Sequence, residues 1–320
     1  MIRTDTSHLE VSAVTHPGVA GRNNEDRFSV SSYRLSETDP TPSVFAIVSD
    51  GIGGHRAGDE AAEIAVETIS HLVAQSDARH PLDVLDQAIQ VTSDSIAAKG
   101  QDDTRRLGMG TTCACAWVIG DRLFIASVGD SRVYLLRKGS LMQLTVDHTW
   151  VQEALERGIL GPQDVRNHPN QHVIRRFLGS SKTPQVDVRL RLAKEETDTQ
   201  ARSNQGLRLL PGDLLMLCTD GLTDMLEDAE IEPAVRGLGL RAAARKLVDL
   251  ACKRGGFDNI TVVLLLVPWG EAEKKGNKLW LRVILGMAAL ALLALIILLT
   301  FWVVFHFILP PSFTLIPTLL

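Results

Sequence analysis

The chain reads as an α+β protein in which antiparallel β-sheets pack on one another with helices outside, followed by one apolar helix near the C-terminus. Three observations predict this. Apolar runs of strand length are joined by tight-turn dipeptides, a few long stretches repeat apolar residues every three and four positions, and residues 283–305 carry no charged side chain.

The strand-like runs are 44–49 (VFAIVS), 112–119 (TCACAWVI), 122–129 (RLFIASVG), 132–137 (RVYLLR), 213–220 (DLLMLCTD) and 260–267 (ITVVLLLV). Gly120-Asp121 and Lys138-Gly139 supply the positive φ that tight hairpins need, so neighbouring strands run antiparallel. Helical periodicity appears over 57–75, where Ala61, Ala62, Ala65, Val66, Ile69, Leu72 and Val73 recur on one face. Further helices are predicted over about 82–98, over 150–158 and over 240–256, the last with Gly255 as its stop. Strands follow strands, so the order is α+β rather than repeating βαβ.

Of 320 residues, 45% are hydrophobic and 22% charged, the composition of a folded protein. A net charge of −5 gives no basic footprint, so nucleic acid is not an expected partner. Cys113, Cys115, Cys218 and Cys252 lie in apolar runs without a CxxC pair, which points to core packing in a reducing compartment.

The C-terminal part differs in kind. Residues 1–268 form one domain, 269–282 (beginning WGEAEKKGNK) a basic juxtamembrane linker, 283–309 a transmembrane helix and 310–320 a short tail. Lys274, Lys275, Lys278 and Arg282 precede the apolar run and no charge follows it, so the positive-inside rule places the body in the cytoplasm. The expected location is a single pass through the plasma (inner) membrane. Trp280 and Trp302 fall near its interfaces, and the first residues lack the apolar segment of a signal peptide.

Within the body, acids stand at the ends of apolar strands. A carboxylate there costs several kcal/mol unless a cation or hydrogen bonds compensate it. Asp50 follows 44–49 and precedes Gly51, Gly53 and Gly54, which let carbonyls and waters approach closely. Asp130 and Asp220 end two more strands, Asp258 precedes another, and Glu25 and Asp26 stand together at 25–26. Oxygen ligands without neighbouring His or Cys select hard cations, Mg²⁺ or Mn²⁺. Taken singly each acid also fits a turn or cap; the recurrence points to a shared site. His55, His148 and His172 show no ligand spacing and suit surface or supporting roles. No P-loop, dinucleotide fingerprint or Gly-x-Ser-x-Gly elbow is present.

Six blocks, 23-NNED-26, 50-DGIGGHRAG-58, 108-GMGTT-112, 129-GDSR-132, 219-TDGLTD-224 and 258-DNIT-261, resemble in order and spacing the metal-dependent protein phosphatase 2C (PPM) family over nearly all of 8–268. The resemblance implies a four-layer α-β-β-α sandwich and hydrolysis of phosphoserine and phosphothreonine in proteins, substrates of a Ser/Thr kinase. It implies two Mn²⁺ or Mg²⁺ ions bridged by Asp50, one also held by Glu25 and the Gly51 carbonyl, the other by Asp220 and Asp258. It further implies a third, weaker ion at Asp130 and Asp220, as in bacterial members. Asp26 resembles the acid that orients the attacking water, which a metal pair activates near neutral pH.

Two departures stand out. Many relatives place a phosphate-holding arginine four residues before the glutamate, where this chain has Gly21; either a local bulge re-aims Arg22, three before, as the substitute or another cation serves. Some eukaryotic members carry a histidine where Ile52 stands. Residues 158–181 resemble the family's variable flap, in which Arg175 and Arg176 either meet acidic substrates or are solvated surface charge. The stretch 193–206 reads as an exposed polar loop. The rival to a membrane-tethered phosphatase is an inactive membrane-anchored scaffold that binds phosphoproteins, which loss of a core acid would favour.

Overall fold

The unbroken apolar runs become the middle strands of two sheets, because a strand covered on both faces needs apolar residues at every position rather than at alternate ones. The computed structural model describes residues 1–268 except 22, 53–56 and 167, together with 287, 290–300 and 302. In chain order the strands are β1 (Ile2–Arg3), β2 (Glu10–His16), β3 (Arg27–Arg34), β4 (Pro42–Ser49), β5 (Gly51–Ile52), β6 (Gly110–Thr111), β7 (Cys113–Ile119), β8 (Arg122–Val128), β9 (Arg132–Arg137), β10 (Ser140–Gln143), β11 (Leu207–Arg208), β12 (Leu214–Cys218) and β13 (Ile260–Leu266). The helices are α1 (Ala57–Gln75), α2 (Pro81–Asp102), α3 (Trp150–Glu156), α4 (Asp198–Ser203), α5 (Asp220–Thr223), α6 (Asp228–Val235) and α7 (Leu240–Lys253). One antiparallel sheet has the order β1-β3-β4-β7-β8-β11, the other β10-β9-β12-β13-β2, and β5 pairs with β6.

Side-chain alternation along each strand sorts residues between two cores. On β4, Phe45 and Ile47 meet Ile69 of α1 and Ile89 of α2, whereas Val44, Ala46 and Val48 meet Leu215, Leu217 and Val263 of the other sheet. On the far face of that second sheet, Met216, Val262 and Leu264 pack with Ile231 of α6 and Leu247 of α7. The layers are therefore α-β-β-α. Trp117, fully buried, lies edge-on to Phe45 at 6.4 Å and donates its indole N–H to Ser43 Oγ at 2.8 Å, which satisfies its one polar atom. The two dipeptide turns behave as their residues require: Gly120 has φ +59°, and Lys138 and Gly139 have +53° and +80°. All four cysteines are free, and Cys113, Cys115 and Cys218 are buried.

Differences from the sequence reading lie where periodicity is short. The second helix extends to Asp102, and α3 stops at Glu156, short of Gly158 with φ +68°. Residues 193–206 are not all loop: they contain α4, capped where Thr197 Oγ1 accepts from Gln200 N and Gln200 Oε1 accepts from Thr197 N. Gln205, just beyond, donates to the carbonyls of Ile125 and Val188 and so ties the segment to the first sheet.

The chain divides into two units, Met1–Pro268 and Trp269–Leu320. The linker 269–282 and the tail 310–320 lie outside the described residues, as does much of 283–309. Residues 290–300 are helical and exposed. Among the described residues no helix is long and apolar enough to cross a membrane.

Candidate functional site

Each acid singled out in the sequence sits where a strand ends or begins. Asp26 immediately precedes β3, Asp50 follows β4, Asp130 follows β8 after Gly129 at φ +107°, Asp220 opens α5 after β12, and Asp258 precedes β13. These ends belong to both sheets and meet. Asp50 feels the charges of Asp220, Asp26 and Asp130, and Asp26 those of Asp220 and Asp258. The Asp50 and Asp220 carboxyl groups are in hydrogen-bonding contact. Two carboxylates that close cannot both stay ionised unless a cation lies with them.

Among the described residues, neutral groups rather than arginines hold the cluster. Asp26 is 2% exposed, and its Oδ2 accepts the hydroxyls of Thr219 at 2.8 Å and Thr261 at 2.7 Å. The Asp50 main chain is gripped by Thr112, whose Oγ1 accepts from Asp50 N at 3.0 Å and whose N–H donates to Asp50 O at 2.9 Å; Thr111 Oγ1 also donates to that carbonyl. Ser131 bonds Thr112 at 2.7 Å, linking the Asp50 and Asp130 loops. Asn259 Oδ1 accepts from Glu25 N at 2.7 Å, and Asn259 N donates to Asp258 Oδ1 at 2.8 Å.

Glu25 and Gly51 share a tight corner. A Cβ on Gly58 would stand 2.2 Å from Glu25 Oε2, and one on Gly51 would stand 2.3 Å from the Gly58 carbonyl oxygen. Only glycine lets the three approach in this way. Arg22 lies outside the described residues.

The electrostatics follow from burial and crowding. Burial first, then Asp220 and Asp258, outweigh the two threonine bonds and push Asp26 up to about 7. Asp220 rises to about 6, chiefly through burial and Asp224. Asp50 and Asp130 are also driven well above the carboxylate range, by burial and then by Asp220. Among the described residues, Oδ1 of Asp26, Asp130 and Asp220 are buried without a hydrogen-bond partner. All-oxygen donors, like charges in contact and orphaned acceptors together fit hard divalent cations.

The acids were readable in the sequence; their supports were not. Thr219, Thr261, Thr112, Ser131 and Asn259 look like ordinary strand-end residues, and the one available signal is that each lies in one of the six blocks, all but Thr112 beside or near an acid. Asp224, which stands in its sequence block without an expected role, meets His172, for which the sequence reading expects a surface or supporting place. His172 Nδ1 lies 3.1 Å from Asp224 Oδ2, and these two with Asp220 bring ligand-type atoms within 4.8 Å. Of the surface and supporting places left open for His148, the surface one is excluded, since it is buried. In the flap, Arg175 pairs with Glu153 at 3.5 Å.

The fold and site define a two-sheet α+β protein with an acidic pocket suited to divalent cations. The chain belongs to the protein phosphatase 2C family, whose model matches residues 18–250. It is 32% identical over 257 residues to the serine/threonine protein phosphatase PstP of Mycobacterium tuberculosis, covering 80% of this chain and 44% of that one, so the chain spans less than half of that relative's length. It is similar to the solved serine/threonine phosphatase of S. agalactiae, with a TM-score of 0.70, 31% identity and coverage of 81% and 99% of the two chains. The catalytic domain of PstP, solved in complex with 2 manganese ions, gives a TM-score of 0.64 at 30% identity and coverage of 81% and 97%.

Proposed function

We propose that the chain is a divalent-cation-dependent protein-serine/threonine phosphatase held at a membrane by its C-terminal apolar segment. The observation that carries this reading is that Asp26, Asp50, Asp130 and Asp220, at strand ends of both sheets, converge with like charges in contact, and that Oδ1 of Asp26, Asp130 and Asp220 is buried without a hydrogen-bond partner among the described residues. Glu25, Asp50, Gly51, Asp220 and Asp258 would hold two ions, Mn²⁺ or Mg²⁺, and Asp130 with Asp220 a third. When bound, such ions activate water and neutralise phosphoryl charge.

The chain's own residues do the rest. Thr219 and Thr261 both bond to Oδ2 of Asp26, which fixes the carboxylate plane and leaves Oδ1 facing away from them, the oxygen that receives the proton of the attacking water. Arg22 would clamp the phosphoryl oxygens. The tether rests on the charge-free run 283–305 and the basic residues before it. With the body on the cytoplasmic face of the inner membrane, it raises effective concentration toward phosphorylated proteins there. The inactive-scaffold reading has no supporting observation, since no acid of the set is missing. The test is hydrolysis of a phosphothreonine peptide with Mn²⁺, with chelator, and by Asp220→Asn. Turnover that survives both chelator and the substitution overturns the reading.

A further inference from the structure

His148 is 3% exposed and has no place in the reaction described above, yet it bonds at four points around the Asp130 loop. Its N–H donates to Gly129 O at 2.9 Å, and its ring Nδ1 accepts from Gly129 N at 3.0 Å, so one residue grips both main-chain groups of the glycine before Asp130. Its Nε2 lies 3.2 Å from Asp187 Oδ2, and its carbonyl accepts from Arg175 N at 2.7 Å. Because Gly129 N–H can only donate, Nδ1 must be the bare nitrogen and Nε2 carries the proton given to Asp187. Asp187 is itself anchored. Its main chain exchanges hydrogen bonds of 2.9 and 3.0 Å with Ser127, and its carboxylate takes the Arg189 guanidinium, the closest contact being 2.6 Å.

We propose that His148 is a positioning residue that sets the Asp130 carboxylate and ties it to flap residues 173–175. Gly129 at φ +107° has no side chain of its own to pack, so the orientation of the next residue depends on what holds its peptide groups. The clamp supplies that hold from a ring whose tautomer is fixed by Asp187, as an outer carboxylate fixes a ligand-orienting histidine elsewhere. The two residues after it continue along the flap: Trp150 N donates to Val173 O at 2.8 Å, and Thr149 bridges Ile174. A shift of the flap is thereby felt at Asp130, and the reverse.

The proposal rests on the reading that Asp130 holds a divalent cation, and the experiment separates the two. The full chain is titrated with Mn²⁺ and free ion is counted by electron paramagnetic resonance, for wild type, Asp130→Ala, Asp187→Asn, His148→Ala and His148→Asn. Asp187→Asn keeps the shape but allows its amide to donate to Nε2, which moves the ring proton to Nδ1 and sets it against Gly129 N–H. Asp187→Asn and His148→Ala are expected to weaken the weakest Mn²⁺ site at least 10-fold, as Asp130→Ala does, with the tighter sites unchanged within twofold. His148→Asn, whose carbonyl can accept from Gly129 N, is expected to recover most of that loss. If Asp130→Ala leaves the isotherm unchanged, no ion sits there and both readings fall. If Asp130→Ala alters it while folded Asp187→Asn matches wild type, the clamp alone is overturned, and this holds even where His148→Ala does not fold. Equal weakening of every site by both His148 variants, with no recovery, also overturns it.

Discussion

Replacing Asp26 by Asn is expected to stabilise the metal-free protein at alkaline pH while abolishing activity. Burial, with Asp220 and Asp258 adding to it and Thr261 and Thr219 opposing it, lifts the Asp26 pKa to about 7 from 3.8. Between about pH 4 and pH 7 the folded state therefore keeps a proton that the unfolded chain has released. Stability falls as pH rises through that window and is level above it. A rise of about three units corresponds to about 4 kcal/mol. Asn carries no charge, and its oxygen can still accept the two threonine hydroxyls, but its amide group takes the unpartnered position at about 1–3 kcal/mol. The balance at pH 8 in chelator leaves the variant about 1–3 kcal/mol more stable, a rise in Tm of about 2–10 °C. At pH 4.5 the wild-type carboxyl is already protonated and the order reverses. Thermal unfolding followed by circular dichroism in EDTA at the two pH values measures both differences. A variant that melts at or below wild type at pH 8 refutes the reasoning, because it would mean that the folded state bears no charge strain at this carboxylate.

Three further outcomes follow from the packing. Gly58→Ala places a methyl 2.2 Å from Glu25 Oε2, so the Mn²⁺ concentration for half-maximal hydrolysis of a phosphopeptide should rise at least about 10-fold, although Ala in a helix otherwise stabilises by about 1 kcal/mol; an unchanged Mn²⁺ titration counts against the Glu25 assignment. Thr219→Val removes a hydroxyl from Asp26 Oδ2 and the acceptor of Thr261 N at 3.0 Å, which should lower stability by about 1–3 kcal/mol in urea unfolding and move the acidic limb of the pH–rate profile to higher pH. Trp117→Ala empties the centre of the core between the first sheet and α1 and should cost about 3–5 kcal/mol by the same measurement; a loss under about 2 kcal/mol would show that the site collapses around the gap.

What could be read from the sequence depended on how far its signal extended along the chain. The central strands β4, β7, β12 and β13 declare themselves because burial on both faces makes them continuously apolar. The partly exposed β2 and β3 and the two-residue strands do not, since a mixed pattern over so few positions matches a loop equally well. The helix α4 stayed hidden for a related reason: its six residues are set by the Thr197–Gln200 cap, with Ala201 as its buried contact. In the site, an acid after an apolar run is conspicuous because its placement is unfavourable. Thr219 and Asn259 are not conspicuous, because polar residues at strand ends are ordinary until tertiary structure shows that one bonds the Asp26 carboxylate and the other the Glu25 main chain. The partners of His148 were hidden in the same way: Gly129 and Asp187 are 19 and 39 residues away.

The choice of partner for each buried acid separates structural carboxylates from those of the site. Elsewhere in the same unit the chain neutralises its acids with guanidinium groups: Arg132 meets Asp147, Arg137 meets Asp213 and Arg189 meets Asp187, each at 2.6 Å. Such pairs cancel the carboxylate charge and leave no net charge to attract a cation. At the converging strand ends the donors to carboxylate oxygens are the Thr219 and Thr261 hydroxyls and the Asn259 main-chain N–H, which orient an oxygen without cancelling its charge. Arg132 stands close enough to lower the Asp130 pKa, yet its guanidinium is committed to Asp147 and Tyr134. An arginine inside the cluster would stabilise the metal-free fold and occupy the space of an ion. Its absence among the described residues leaves negative charge that only a cation or a proton can relieve.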